Sequence, residues 1–289
     1  MKRLSHVLEF AFVWAFYTLC RLLPFRAASA LGGTLGWFIA TLPASFNQTA
    51  RANLRKAFPD MPAADMRRTQ QAALVNFART MAEFPQVYRL PPAQLAKKVD
   101  IRGLEHIGTE RPILMMTGHV GNWDMLGMAL AAQGIPCASV YRAANNPLVD
   151  RLMVGTRALS GAIQIPKGAH GARQILKTLG QKHSVGMLID QKMNDGIAAP
   201  FFGHQVMTAP ALAELALKKN LPVIPAFCWR TSGGRFTAEV WPPVQLTRTG
   251  DHQHDVQVNT ALFNKLLEDA ITRNPEQWMW FHRRFPKEG

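Results

Sequence analysis

Ile113-Leu114-Met115-Met116-Thr117-Gly118-His119-Val120-Gly121-Asn122-Trp123-Asp124 runs from an apolar stretch into a histidine, and an aspartate follows five residues later. The apolar part suits a buried strand, and the residues from Trp123 onward suit the start of a helix. His119 therefore falls at the carboxyl end of a strand, where open α/β sheets hold their ligands. The five-residue spacing lets a short turn fold Asp124 back onto the imidazole. One ring nitrogen is then held by the carboxylate while the other faces a cleft as a general base. No serine or cysteine stands beside the pair. Such a dyad suits activation of a hydroxyl carried by the substrate, which is transfer chemistry. A histidine bonded to a carboxylate for structural reasons alone uses the same two residues, and it is the position at a strand end that favours function.

Working outward, strands and helices alternate from residue 100. Apolar runs at 112–117, 136–141, 162–166, 184–190 and 222–228 read as strands, with helical stretches at 123–133, 147–160, 170–181 and 208–219. This alternation predicts an α/β fold with a central mixed, largely parallel sheet flanked by helices. One more strand is expected within 235–246 and an amphipathic helix over 256–273. Thr208 reads as a helix cap ahead of Pro210. The domain organisation expected is a membrane anchor or interfacial helices over 1–45, a basic helical segment over 46–98 that packs on the core, and a catalytic α/β domain over 99–289.

The 289 residues are 48% hydrophobic, enough to bury one sizeable core. A formal net charge of +14 points to an anionic partner: nucleic acid, an acidic membrane surface or a phosphorylated substrate. The basic residues are scattered, without a long Lys/Arg run or an aromatic RNA-binding motif, and this argues against nucleic acid. Cys20, Cys137 and Cys228 are far apart and lack metal-ligand spacing, as expected in a reducing compartment.

Val7 to Leu23 is almost wholly apolar, with Glu9 and Arg21 only near its ends. It is too long, and lacks a convincing cleavage site, for a signal peptide. A short membrane-spanning helix and a helix lying in the interface both remain open. Gly32, Gly33 and Gly36 weaken a second apolar helix over 27–43. Asn47 to Phe58 is a basic amphipathic stretch, and a helix is expected from Ala64 to Tyr88, ended by Pro91-Pro92.

Further candidates stand at other strand ends and helix starts. Val140-Tyr141-Arg142 closes a strand, and Asn146-Pro147 opens a helix that reaches Arg157. Arg142 and Arg157 are permanent cations fit to stabilise an oxyanion or to bind an acceptor phosphate. Asn146 is taken as a further substrate contact. Asp190 ends another apolar strand, and Phe201 and Phe202 are apolar enough to line a chain-binding pocket.

The blocks GHVGNWD at 118–124, YRAANNPLVDRLMVGTR at 141–157, DQKMNDG at 190–196, PFFG at 200–203 and PEQWMWFHRRF at 275–285 occur in an order that resembles the lipid A biosynthesis acyltransferases. The resemblance extends to the hydrophobic start and the basic segment ending in NLRKAFP, so it covers nearly the whole chain. It implies transfer of a fatty acyl group from acyl–acyl carrier protein to a hydroxyl of a Kdo-bearing lipid A precursor, on the cytoplasmic face of an inner membrane. It also implies His119 as base, Asp124 as its orienting acid, Arg157 as a functional arginine and Asp190 as a carboxylate near the site. The partners implied are acyl carrier protein, an anionic glycolipid acceptor and the bilayer, with no cofactor and no metal. Acylation of another glycolipid or a lysophospholipid is the alternative, although the EGTRS-like block of glycerol-phosphate acyltransferases is missing.

Overall fold

The computed structural model describes residues 2–108 and 112–286. Four helices come first: α1 (Lys2–Leu22), α2 (Phe25–Thr41), α3 (Ser45–Ala57) and α4 (Ala63–Val87). A short helix, α5 (Pro92–Lys98), leads into β1 (Val99–Arg102). Strands and helices then alternate as β2 (Leu114–Thr117), α6 (Trp123–Ala132), β3 (Cys137–Tyr141), α7 (Pro147–Ala158), β4 (Gln164–Pro166), α8 (Ala169–Gly180) and β5 (Ser184–Leu188). A hairpin of β6 (Ile197–Phe201) and β7 (His204–Thr208) precedes α9 (Ala211–Lys219), β8 (Val223–Arg230), β9 (Phe236–Val240) and α10 (His252–Arg273).

Seven strands form one sheet in the order β1-β9-β8-β2-β5-β3-β4. All neighbours are parallel except β8 and β9, so the sheet is mixed and largely parallel, as the alternation predicts. β2 lies at its centre, and all four of its residues are buried. That is the burial a parallel strand acquires when helices cover both faces.

Two parts of the sequence reading are corrected. Phe201 and Phe202 lie outside the lining of the cleft that holds His119. Phe202 (φ 46°) and Gly203 (φ 74°) form the two-residue turn between β6 and β7, the positive-φ geometry that matches strand twist in tight hairpins. Phe201 is fully buried against Phe202, Trp278 and Phe285, with ring centroids 4.9, 5.8 and 5.6 Å away. Thr208 is not a helix cap: it ends β7, and its hydroxyl accepts from Asn264 Nδ2 at 3.1 Å and Arg284 Nη2 at 2.9 Å. The glycine-rich second apolar stretch is a full helix, because α2 lies directly on α4. A Cβ at Gly32 would stand 2.5 Å from the Ala78 carbonyl oxygen, and one at Gly36 2.8 Å from that of Leu74. Close backbone approach offsets a helix-propensity cost of about 1 kcal/mol per glycine.

Among the described residues no single helix is long and apolar enough to cross a membrane. α2 and α3 meet the length and composition only as a pair bent by 84°. α1 and α2 nonetheless leave large apolar side chains in solvent, among them Phe12, Trp14, Trp37 and Phe38.

Gly32→Ala, which must displace an α4 carbonyl, is expected to destabilise the fold by about 1–3 kcal/mol in thermal or chemical melting. Gly155→Ala, inside α7 with nothing within 4 Å of the added carbon, is expected to raise stability by about 0.5–1 kcal/mol in the same measurement.

Candidate active site

Parallel pairing of β2 with β5 sets Thr117 beside Leu188. Continuing that register by two residues brings His119 beside Asp190, past an Ile189 amide that donates to the Thr117 carbonyl at 3.1 Å. Asp190 Oδ1 lies 2.8 Å from His119 Nδ1, and its Oδ2 accepts the His119 backbone amide at 2.8 Å. The same Oδ2 accepts Trp278 Nε1 at 2.9 Å. Asp190 is 1% exposed, and burial alone would raise its pKa. The nearby His119 charge and the hydrogen bonds from His119 and Trp278 outweigh burial and hold it well below the usual carboxylate range. An ionised Asp190 on Nδ1 fixes the ring tautomer and leaves Nε2 as the basic nitrogen.

The loop that carries His119 is clamped from several sides. Gly121 sits at φ 59°, and a Cβ there would fall 1.9 Å from the Cys228 carbonyl oxygen, so only glycine fits. Its amide donates to the Gln277 carbonyl at 2.8 Å, and its carbonyl accepts Asn76 Nδ2 at 3.0 Å and Thr80 Oγ1 at 3.1 Å. Asn122 caps α6, its Oδ1 accepting the Met125 amide at 2.9 Å. Asn122 Nδ2 donates at 2.8 Å to Glu83, a fully buried carboxylate that also accepts Arg230 Nη2 at 2.9 Å.

The His119 ring faces a cleft of about 280 Å³ on one side of the sheet. Its floor follows alternate strand positions: Met115 and Thr117, Gly186 and Leu188, Cys137 and Ser139. α6 and α7 cover this floor, contributing Leu126, Gly127 and Met153, and α4 adds Phe77 and Met81. Burial pushes the Cys137 thiol up to about 12, so it stays protonated and unreactive at neutral pH.

The sequence profile of the bacterial lipid A biosynthesis acyltransferases matches residues 1–287. The chain belongs to this family. It is 26% identical to a lipid A biosynthesis acyltransferase of Haemophilus influenzae, over 92% of this chain and 83% of that protein. It is 24% identical to the lipid A biosynthesis lauroyltransferase of Escherichia coli, over 91% of this chain and 86% of that one. A phosphatidylinositol mannoside acyltransferase of Mycolicibacterium smegmatis is 23% identical over 79% of this chain and 76% of its own length. The crystal structure of the 1-acyl-sn-glycerophosphate acyltransferase from Thermotoga maritima superposes with a TM-score of 0.40 at 13% identity, covering 85% of this chain and 98% of that one.

Within this acyltransferase the residues singled out from sequence separate into two groups. His119, Asp124, Arg142 and Arg157 all line the cleft. Asp124, however, is not the partner of His119. Its position in the first turn of α6 turns it towards α4 and α7, where its Oδ1 accepts Arg157 Nε at 3.2 Å, Arg157 Nη2 at 3.1 Å and the Tyr88 hydroxyl. Asp190 takes the place expected for Asp124 because strand register delivers it to the imidazole. Asp124 Oδ2 is buried and has no hydrogen-bond partner among the described residues. Asn146 stands outside the cleft lining. It caps α7 by accepting the Leu148 amide at 3.0 Å and ties that helix to α1 through the His6 carbonyl at 2.8 Å. The Gly121 amide is committed to the Gln277 carbonyl and does not donate into the cleft.

Sequence reasoning missed Tyr88, which lines the cleft and bonds to both Asp124 and Arg157. Burial, then the adjacent Asp124 charge, pushes its phenol well above the ordinary value, so it remains a donor. Burial pulls Arg157 down, but Asp124 and Tyr88 outweigh it and raise the guanidinium above its usual value. Nothing in the spacing of Tyr88 and Asp124, 36 residues apart, signals this contact.

Asp190→Asn should lower turnover by about 10²–10⁴-fold by presenting the wrong tautomer of His119, with near-normal folding by circular dichroism. Because the folded-state pKa of Asp190 is depressed, its stabilising contribution is complete above the unfolded value of about 3.9 and disappears on acidification below it. Asp190→Asn is therefore expected to flatten the loss of stability between about pH 4 and pH 2, read by urea melts across that range.

Proposed function

We propose that the chain transfers a fatty acyl group from acyl–acyl carrier protein to a hydroxyl of a Kdo-bearing lipid A precursor. The observation that carries this reading is the His119–Asp190 pair, 2.8 Å apart at the edge of a partly apolar cleft. The Cys137 thiol on the floor is kept protonated, which favours direct attack by the acceptor over an acyl-enzyme on that cysteine. In this mechanism His119 Nε2 takes the proton of the acceptor hydroxyl as its oxygen attacks the thioester carbonyl. Asp190, ionised and bonded to Nδ1, balances the imidazolium that forms. Arg157, held by Asp124 and Tyr88, supplies a fixed positive charge for the tetrahedral oxyanion. Collapse then breaks the carbon–sulfur bond, and the thiolate leaves with the proton from His119. All of this chemistry is carried by protein side chains, with no cofactor and no metal in the scheme.

The reaction is placed on the cytoplasmic face of the inner membrane. Support comes from the exposed apolar side chains of α1 and α2 together with a net charge of +14, which suit an interface of anionic lipids. Acylation of a different glycolipid is the second reading, favoured by the relative that acts on phosphatidylinositol mannosides.

His119→Ala should reduce acyl transfer by about 10²–10⁴-fold with membrane association unchanged. The assay incubates the enzyme with acyl–acyl carrier protein and candidate precursors and follows products by lipid mass spectrometry. Ordinary turnover by this variant, or transfer to glycolipids other than lipid A precursors alone, would overturn the base or the acceptor assignment respectively.

A further inference from the structure

We propose that the β3–β4 end of the cleft is a phosphate subsite in which Arg142 and Lys167 hold a phosphate group of the substrate. The parallel pairing of β3 and β4 sets Tyr141 beside Pro166, and the Lys167 amide donates to the Tyr141 carbonyl at 2.8 Å. The next residue on each chain is a cation, so Arg142 and Lys167 leave neighbouring strand ends side by side. Both line the cleft that holds His119. Like charges set opposite each other on adjacent strands repel. Among the described residues neither belongs to an ion pair, and Arg142 reaches only Asn145 Oδ1, at 3.4 Å. The two carboxylates nearest the chemistry are already engaged, Asp124 by Arg157 and Asp190 by His119. Two cations at one cleft wall with the nearby carboxylates engaged suit an anionic group of the substrate. Burial, opposed by Asp190 and reinforced by Arg142, pulls the Lys167 pKa below its ordinary value, which agrees with two cations crowded at one cleft wall.

A second observation marks the same wall. Gln164 pairs in register with Ser139, three residues before the cations on each strand, and both line the cleft. Gln164 Oε1 is buried with no partner among the described residues. A buried amide oxygen left unbonded is destabilising, and a hydroxyl or amide N–H on the substrate would satisfy it. The chemistry expected is thus a phosphate ester with a hydrogen-bond donor close by. Both a phosphorylated thiol arm on the acyl donor and a phosphorylated sugar on the acceptor have that form. This subsite rests on reading the cleft as the site of acyl transfer.

The test is equilibrium binding, by calorimetry or ³¹P NMR, of 4′-phosphopantetheine and of a hexosamine phosphate, each compared with its phosphate-free counterpart. At least one phosphorylated probe should bind the wild-type protein more tightly than its counterpart. Lys167→Ala should weaken that binding tenfold or more, about the worth of one charge-assisted hydrogen bond, and Lys167→Arg should retain it. The probe that binds assigns the phosphate to donor or acceptor. If neither phosphorylated probe binds better than its counterpart, or Lys167→Ala binds as wild type does, the subsite is refuted. His119→Ala should bind the probe normally. Probe binding without transfer from any thioester would therefore strike the transferase reading and leave the subsite standing.

Discussion

The centre of this molecule depends on one buried carboxylate meeting one imidazole. Asp190 is 1% exposed, and it stays charged because His119 and Trp278 direct hydrogen bonds at it. Removing a carboxylate from water costs several kcal/mol unless its oxygens are satisfied. Here one oxygen binds the ring and the other binds a backbone amide and an indole. The same contacts that keep Asp190 ionised hold His119 in one orientation. The charge of Asp190 and the orientation of His119 are therefore linked at this pair, and both follow from the register of β2 against β5.

A second buried network supports the loop from the opposite side. Glu83 on α4 joins Asn122 to Arg230, and Arg230 Nε donates to Asn76 at 3.0 Å. α4 therefore touches the turn after His119 with one face and α2 with another, where glycines let the two backbones approach closely. The amino-terminal helices and the sheet are one structure joined by this long helix. Breaking a buried pair such as Glu83–Arg230 leaves an uncompensated charge and is costly even where the intact pair adds little net stability.

The cleft holds two carboxylates with different duties. Asp190 orients the His119 ring, whereas Asp124 and Tyr88 fix Arg157 and so aim a permanent cation into the cleft. Their separation depends on secondary structure. Asp190 continues a strand adjacent to that of His119, while Asp124 has entered a helix whose first turn rotates its side chain away from the ring.

Much of the body was legible in the sequence because hydrophobic period and turn residues are local signals. The strands β2, β3, β4, β5 and β8 and the helices between them follow directly from those patterns. The side-chain pairs of the cleft were not legible, since they join positions 71, 33 and 69 residues apart. The sequence determined that a histidine and several ionisable groups would stand at the carboxyl ends of parallel strands. Only the tertiary structure decided which carboxylate faces the imidazole, because partner choice depends on strand order and register. Those are settled by burying both faces of the sheet, and no spacing along the chain encodes them.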